Sequence, residues 1–203
     1  MAELVKIAGV HVPGSSLPLL EDCVVNHATL WTRNLRLKRV TRKNKGWTEL
    51  EAGPPTVVAG DMPSNVTGEI DSDRIPGAPA LIVQATEGED FKLKDGGFAG
   101  RVSVQIGIIT WDDAEDKQGH RDVLNLVELF RTKLWDKRIL EDRFALCEPW
   151  INWQRIMPPA GSHPLYFGLV LAHYSLQVAT PDWDEGKDYS WVAGEDYSGW
   201  QMR

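Results

Sequence analysis

The sequence predicts an α+β fold, a mainly antiparallel β-sheet with α-helices packed on one face and extended arms. Three observations predict it. Residues 101–111, RVSVQIGIITW, alternate, with Val102, Val104, Ile106 and Ile108 on one face and Ser103, Gln105 and Gly107 on the other. Beyond Gly119 the spacing turns helical, with Val123, Leu126, Val127, Phe130 and Leu134 forming one stripe. Finally, the order of elements along the chain is helix, irregular insert, strand, strand, helix, strand, strand.

Residues 1–32 form an N-terminal arm and helix. The first fourteen residues read as an arm or a short edge strand. Ser15 or Ser16 is placed to cap a helix over 17–31, with Pro18 in its first turn. Leu20, Cys23, Val24, His27 and Trp31 fall along one face of it. Residues 33–78 read as an irregular insert. It begins with a basic run, 33–45, that holds seven Lys or Arg and no acid. It continues through turn signals at GPP (53–55), DMPSN (61–65) and IPGAPA (75–80), with a short strand at Thr56–Ala59.

Residues 79–180 form the α+β core. Its strands are Ala80–Thr86, Arg101–Trp111, Phe144–Gln154 and Leu165–Val178. Pro149 cannot donate to a ladder, which puts the third strand at an edge or bulges it there. The last is apolar on both faces in its first half. It then alternates Tyr174, Leu176 and Val178 against His173, Ser175 and Gln177. At about 3.3 Å per residue it reaches roughly 45 Å, long enough to project beyond its own core. Asp122 near the start of the core helix and Lys133, Lys137 and Arg138 near its end complement the helix dipole. Residues 181–203 are an acidic aromatic tail with six acids and two bases, in which KDYSW (187–191) and EDYSGW (195–200) form a near-repeat.

Composition narrows the function classes. The 203 residues make one domain with arms, carrying a net charge of −7. A protein that grips DNA by its phosphates carries a basic excess, and this one as a whole does not. No stretch approaches the roughly 20 apolar residues of a membrane span, and residues 1–14 lack a basic region followed by an apolar run, so no secretory leader is expected. Cys23 and Cys147 have neither knuckle nor disulfide spacing and read as buried, reduced thiols. Nine tryptophans are an excess that points to buried interface or to a sugar platform.

Candidate chemistry is sparse. Asp112, Asp113, Glu115 and Asp116 could hold a cation but depart from the calcium-loop pattern, and a solvated turn before a helix accounts for them. His120 and Asp122 could suggest acid–base work, but no nucleophile signature accompanies them. His163 and His173 lack a third ligand, and DGGFAG (95–100) lacks phosphate-loop spacing. No catalytic residue, metal or cofactor is expected. The basic run could contact DNA phosphates, form a solvated face, or pair with the acidic tail between neighbouring subunits. The candidate interface residues are Arg36, Lys38, Arg39, Arg42, Trp150, Trp153, Tyr166, Tyr174, Trp191 and Trp200.

The segments APALIVQ, RVSVQIGIITW, the acidic turn with GHRDVLNLVELFRTKL, EPWINWQ and HPLYFGLVLAHYSL, from Pro79 to Gln177, resemble the tail terminator family of long-tailed phages in order and spacing. The resemblance covers about half the chain; shorter members of the family lack much of the 33–78 insert and the 181–203 tail. It implies a non-enzymatic virion protein of the neck, made in the host cytoplasm. Its copies would form a homohexameric ring on the head-proximal end of the tail tube. The ring would stop tube polymerisation and present a surface to a head connector, stopper or adaptor protein. DNA would pass through it without sequence-specific binding, and no membrane would be involved. Another neck component, a Trp-rich carbohydrate-binding module and a small hydrolase built on the acidic turn and His120 are the rival readings.

Overall fold

The computed structural model describes residues 5–7, 10–12, 17–43, 46–63, 74–92, 98–114, 119–157 and 163–177. It is an α+β fold dominated by strand. The main sheet has six strands in the order β5-β7-β8-β11-β10-β9. These are β5 (Thr56–Ala59), β7 (Ala80–Lys92), β8 (Phe98–Trp111), β9 (Ile139–Leu140), β10 (Phe144–Ile156) and β11 (Leu165–Gln177). Only β5 and β7 run parallel within it; the other pairs are antiparallel.

Both helices cover one face. Helix α1 (Leu17–Thr32) and helix α2 (Gly119–Asp136) bury their stripes in a single cluster with Leu81, Val83, Val102, Val104, Ile106, Ile108, Val170, Ala172 and Tyr174. The α2 stripe is the expected one, and burying each such side chain stabilises the fold by about 1.5–3 kcal/mol. The α1 stripe is rotated slightly from expectation. Ala28 and Thr32 are buried while His27 and Trp31 sit at the rim, because Leu20, Val24, Ala28 and Thr32 stack at four-residue intervals. Thr32 donates its hydroxyl to Ala28 O at 2.7 Å, which lets a polar residue end the stripe. Trp31 meets Phe130 edge-on, centroids 6.1 Å apart, and joins the two helices. The serines expected to cap α1 lie outside the described residues.

The insert departs most from expectation. It is not irregular in its described part: β3 (Leu37–Lys43) pairs antiparallel with β4 (Gly46–Gly53) and with β6 (Gly77–Ala78), making a three-stranded sheet. This small sheet covers one end of the face opposite the helices. Val40, Ile75 and Ala78 pack there on Ile82, Ile109, Trp111, Leu165 and Phe167. The basic run is therefore largely a strand, and β5, expected as an isolated strand, belongs to the main sheet. Farther along the same face Met62 lies where a Cβ on Gly107 would stand, so Gly107 answers to close approach. Helix α1 and β5 thus join the core despite preceding residue 79. The N-terminal arm contains a hairpin, β1 (Val5–Ile7) with β2 (Val10–Val12).

Strands β7 and β8 are longer than their apolar runs. Residues 87–92 continue β7 against residues 98–103 of β8, past a bulge between Ala85 and Glu87. This acidic, exposed stretch carries no apolar alternation but supplies ladder partners. The β9–β10 connection, residues 141–143 between the paired Leu140 and Phe144, has Glu141 and Asp142 both at positive φ and Arg143 N–H donating to Leu140 O at 3.0 Å.

Candidate subunit interface

The main sheet ends laterally in two strands, and the sequence explains both ends. On one side β9 pairs only Phe144 and Ala145 of β10. The register of β10 on β11 then breaks between Leu146 and Ile151, where Pro149 sits and Trp150 takes φ of 68°. This is the bulge that a proline in a strand predicts. From Ile151 to Ile156 β10 pairs β11 again, and no described strand lies on its outer side. On the other side β5 forms the opposite edge. Thr56 and Gly60 donate inward to Pro79 O and Val83 O at 3.0 and 2.9 Å, so the alternate amides of Val57 and Ala59 point outward. Stepping across the pairings makes β5 and β10 antiparallel to each other.

Above the β10 edge, on the helix side, lies an exposed ledge of indoles and guanidinium groups. Trp135 of α2 packs on Trp150, centroids 5.7 Å apart. Arg138 lies over Trp135 at 5.2 Å and Arg131 over Trp153 at 5.7 Å. Arg131 also pairs with Glu128 at 2.7 Å. Trp135, Trp150 and Trp153 remain 40%, 37% and 48% exposed. Each cation–π contact is worth about 0.5–1 kcal/mol at such exposure, enough to hold the indoles in place. The bulge is tied down from behind: His173, itself buried, contacts Trp150 O through Nδ1 at 3.2 Å, and Arg101 donates to Glu148 O at 3.1 Å.

Of the residues expected at an interface, Trp150 and Trp153 are brought together here. Arg36, Lys38, Arg39 and Arg42 are not; Arg36 precedes β3, the other three lie on it, and all four make contacts within the molecule. Lys38 bridges Asp113 at 2.6 Å and Glu49 at 3.0 Å and lies 4.4 Å from the Trp111 ring centroid. That pairing raises the Lys38 pKa and lowers that of Asp113, chiefly through the shared hydrogen bond. Arg42 covers Trp47 at 5.5 Å, Arg36 donates to Ala52 O at 3.4 Å, and Arg39 packs on Gly53. Tyr166 is half-buried; its ring lies where a Cβ on Gly119 would stand, and it meets His163 edge-on. Tyr174 corrects the expectation outright. It is fully buried, its hydroxyl has no hydrogen-bond partner among the described residues, and burial pushes its pKa well up. It presents nothing to a partner. Trp191 and Trp200 lie outside the described residues.

The sequence reading missed Trp135, Arg131 and Arg138. Their signal was a second spacing of four and three residues, Arg131 and Trp135 on the polar side of α2 and Arg138 just past its end. The other chemical candidates are dispersed. Asp112 accepts from Ala114 N–H at 3.0 Å, while burial and the nearby Asp112 charge raise the pKa of Asp122. His120 lines a small apolar recess with Val123, Ile156 and Phe167. Glu115 and Asp116 lie outside the described residues. Among the described residues no group of three or more His, Cys, Asp or Glu could hold a metal ion. Cys23 is buried and Cys147 half-buried, both free, with thiol pKa values raised by burial. No helix among the described residues is long and apolar enough to cross a membrane. No protein-family model and no curated protein matches the chain.

Proposed function

We propose that this chain is a ring-forming structural subunit of the neck of a long-tailed phage, acting as a tail terminator. The observation that carries the reading is a pair of lateral edges, β5 and the Ile151–Ile156 part of β10, which lie antiparallel on one sheet and on whose outer sides no described strand lies. A subunit whose two edges differ joins its copies head to tail, and such contacts close into a ring when the rotation per copy permits. Closure also removes the edges, which otherwise invite open-ended pairing. Support comes from the order β7, β8, α2, β9, β10, β11, which adds only the two-residue β9 to the strand–strand–helix–strand–strand layout that the resemblance implies. A net charge of −7 suits a passage that DNA crosses without sticking. A glycan platform is favoured less, because the guanidinium groups of Arg131 and Arg138 already lie over Trp153 and Trp135.

In function, six copies would sit on the last ring of the tube, end its growth and present their far face to a connector or stopper. The test is the mass by light scattering, alone and with purified tail tubes, together with images of the tube ends. A hexamer, free or formed on the tubes and sitting at one tube end, is expected. Ala59→Pro removes only an outward amide and is expected to abolish assembly while the circular dichroism spectrum is unchanged. A chain that stays monomeric and never meets tubes overturns the reading.

A further inference from the structure

The ledge above β10 presents cations and indoles, and the chain carries a segment of complementary chemistry. We propose that the acidic aromatic tail, residues 178–203, folds back in its own chain onto the ledge formed by Arg131, Trp135, Arg138, Trp150 and Trp153. Charge is the first argument. The 181–203 stretch holds six acids and two bases, whereas the ledge offers Arg131, Arg138 and, farther along β10, the exposed Arg155, with Glu128 engaging one Arg131 nitrogen. Lys38 of β3 is a poorer receptor, since it is already held by two carboxylates.

The second argument is composition in register. The ledge holds two guanidinium–indole couples, Arg131 with Trp153 and Arg138 with Trp135. The tail holds two acid–aromatic modules, Asp188-Tyr189-Ser190-Trp191 and Asp196-Tyr197-Ser198-Gly199-Trp200. A carboxylate meets a guanidinium through paired N–H donors, and a further aromatic ring extends the stack on an indole.

The third argument is where the chain leaves the sheet. Ser175 pairs Ala145, and Ala145 pairs Ile139 of β9, the residue after Arg138. At ~4.8 Å per strand the end of β11 lies roughly 10 Å to the side of Arg138. Trp153 pairs Val170, seven residues back from Gln177, or roughly 23 Å along the strand at about 3.3 Å per residue. The residues between Gln177 and Asp188 can extend to roughly 36 Å, so the first module reaches every part of the ledge. Tethering also gives the tail an effective concentration on the order of millimolar, which makes weak charged and stacking contacts sufficient. The tail takes the side chains of the ledge and leaves the outer backbone of β10 free, so the inference does not depend on the ring.

The experiment uses the full-length chain with photoreactive benzoylphenylalanine in place of Trp191 or of Trp200. Cross-linked peptides are mapped by mass spectrometry in an equal mixture of light and heavy isotopic copies. Links from the tail to residues 131–157 within one copy are expected, and the double variant Arg131→Glu, Arg138→Glu is expected to cut their yield severalfold. Raising the salt concentration on the unsubstituted chain is expected to do the same, which keeps the test independent of the variant's folding. Links to β3 or β4, links only between copies, an absence of links, or a yield indifferent to both charge reversal and salt overturns the proposal.

Discussion

The two faces of the main sheet are stabilised by different means. The helix-covered face is one continuous apolar cluster in which α1, α2 and five strands share buried side chains. The opposite face has its buried apolar cluster where the small sheet lies on it, and there the rim is closed by charges and rings, Lys38 between Asp113, Glu49 and Trp111. One face draws its stability from close packing, where a lost apolar group leaves a cavity. The other draws it partly from exposed pairs, each worth little and sensitive to pH and salt.

The sharpest way to break this comparison is Phe130→Ala. Phe130 is fully buried and touches both helices' territory, so truncation is expected to cost about 3–5 kcal/mol, read as a lower denaturation midpoint of a single cooperative transition. Ile75→Ala on the other face is expected to cost about 2 kcal/mol, the low end for such truncations. Ile75 borders a groove of about 440 Å³ with Arg39, Leu50 and Val58, into which neighbours can relax. Hydrogen exchange is expected to accelerate in β3 and β6 before β8; equal acceleration in all three would mean that the faces unfold as one.

Tyr174→Phe tests the packed face in the reverse direction. Removing a buried hydroxyl that lacks a partner among the described residues is expected to leave stability unchanged or raise it by about 1 kcal/mol, and a clear loss would reveal a partner. Lys38→Met should have the smallest effect and the only one that depends strongly on pH. The lowered Asp113 pKa means that the pair's contribution is present above the ordinary aspartate range and is lost as pH falls through the depressed value. The raised Lys38 pKa means that it is also lost as pH rises through that higher value. The stability difference from the parent chain should therefore be greatest at intermediate pH and shrink toward both ends.

What the sequence made legible follows the same division. Strand β8 and helix α2 bury one side and expose or differentiate the other, so their periods of two and 3.6 appear directly in the residues. Pro149 announced the β10 bulge because a missing donor has few places to go. Strands β3 and β4 were illegible because of their described residues only Val40 and Gly53 are buried, and the long basic stems satisfy themselves on Trp47, Trp111 and nearby carboxylates. The outer half of β7 was hidden by its acids. Two of the five residues of the ledge, Trp150 and Trp153, could be read from the sequence. The rest was overlooked because Trp135 lies on the polar side of a helix whose apolar stripe had already been accounted for.

The two sheets are joined at Pro79. Ala78 pairs with Val40 in the small sheet, Ala80 pairs with Thr56 in the large one, and Thr56 N–H reaches back to Pro79 O at 3.0 Å. A single residue is too short to act as a swivel. A force applied to the β3–β4 hairpin is therefore transmitted to β5 and β7, and anything that grasps this hairpin takes hold of the whole sheet.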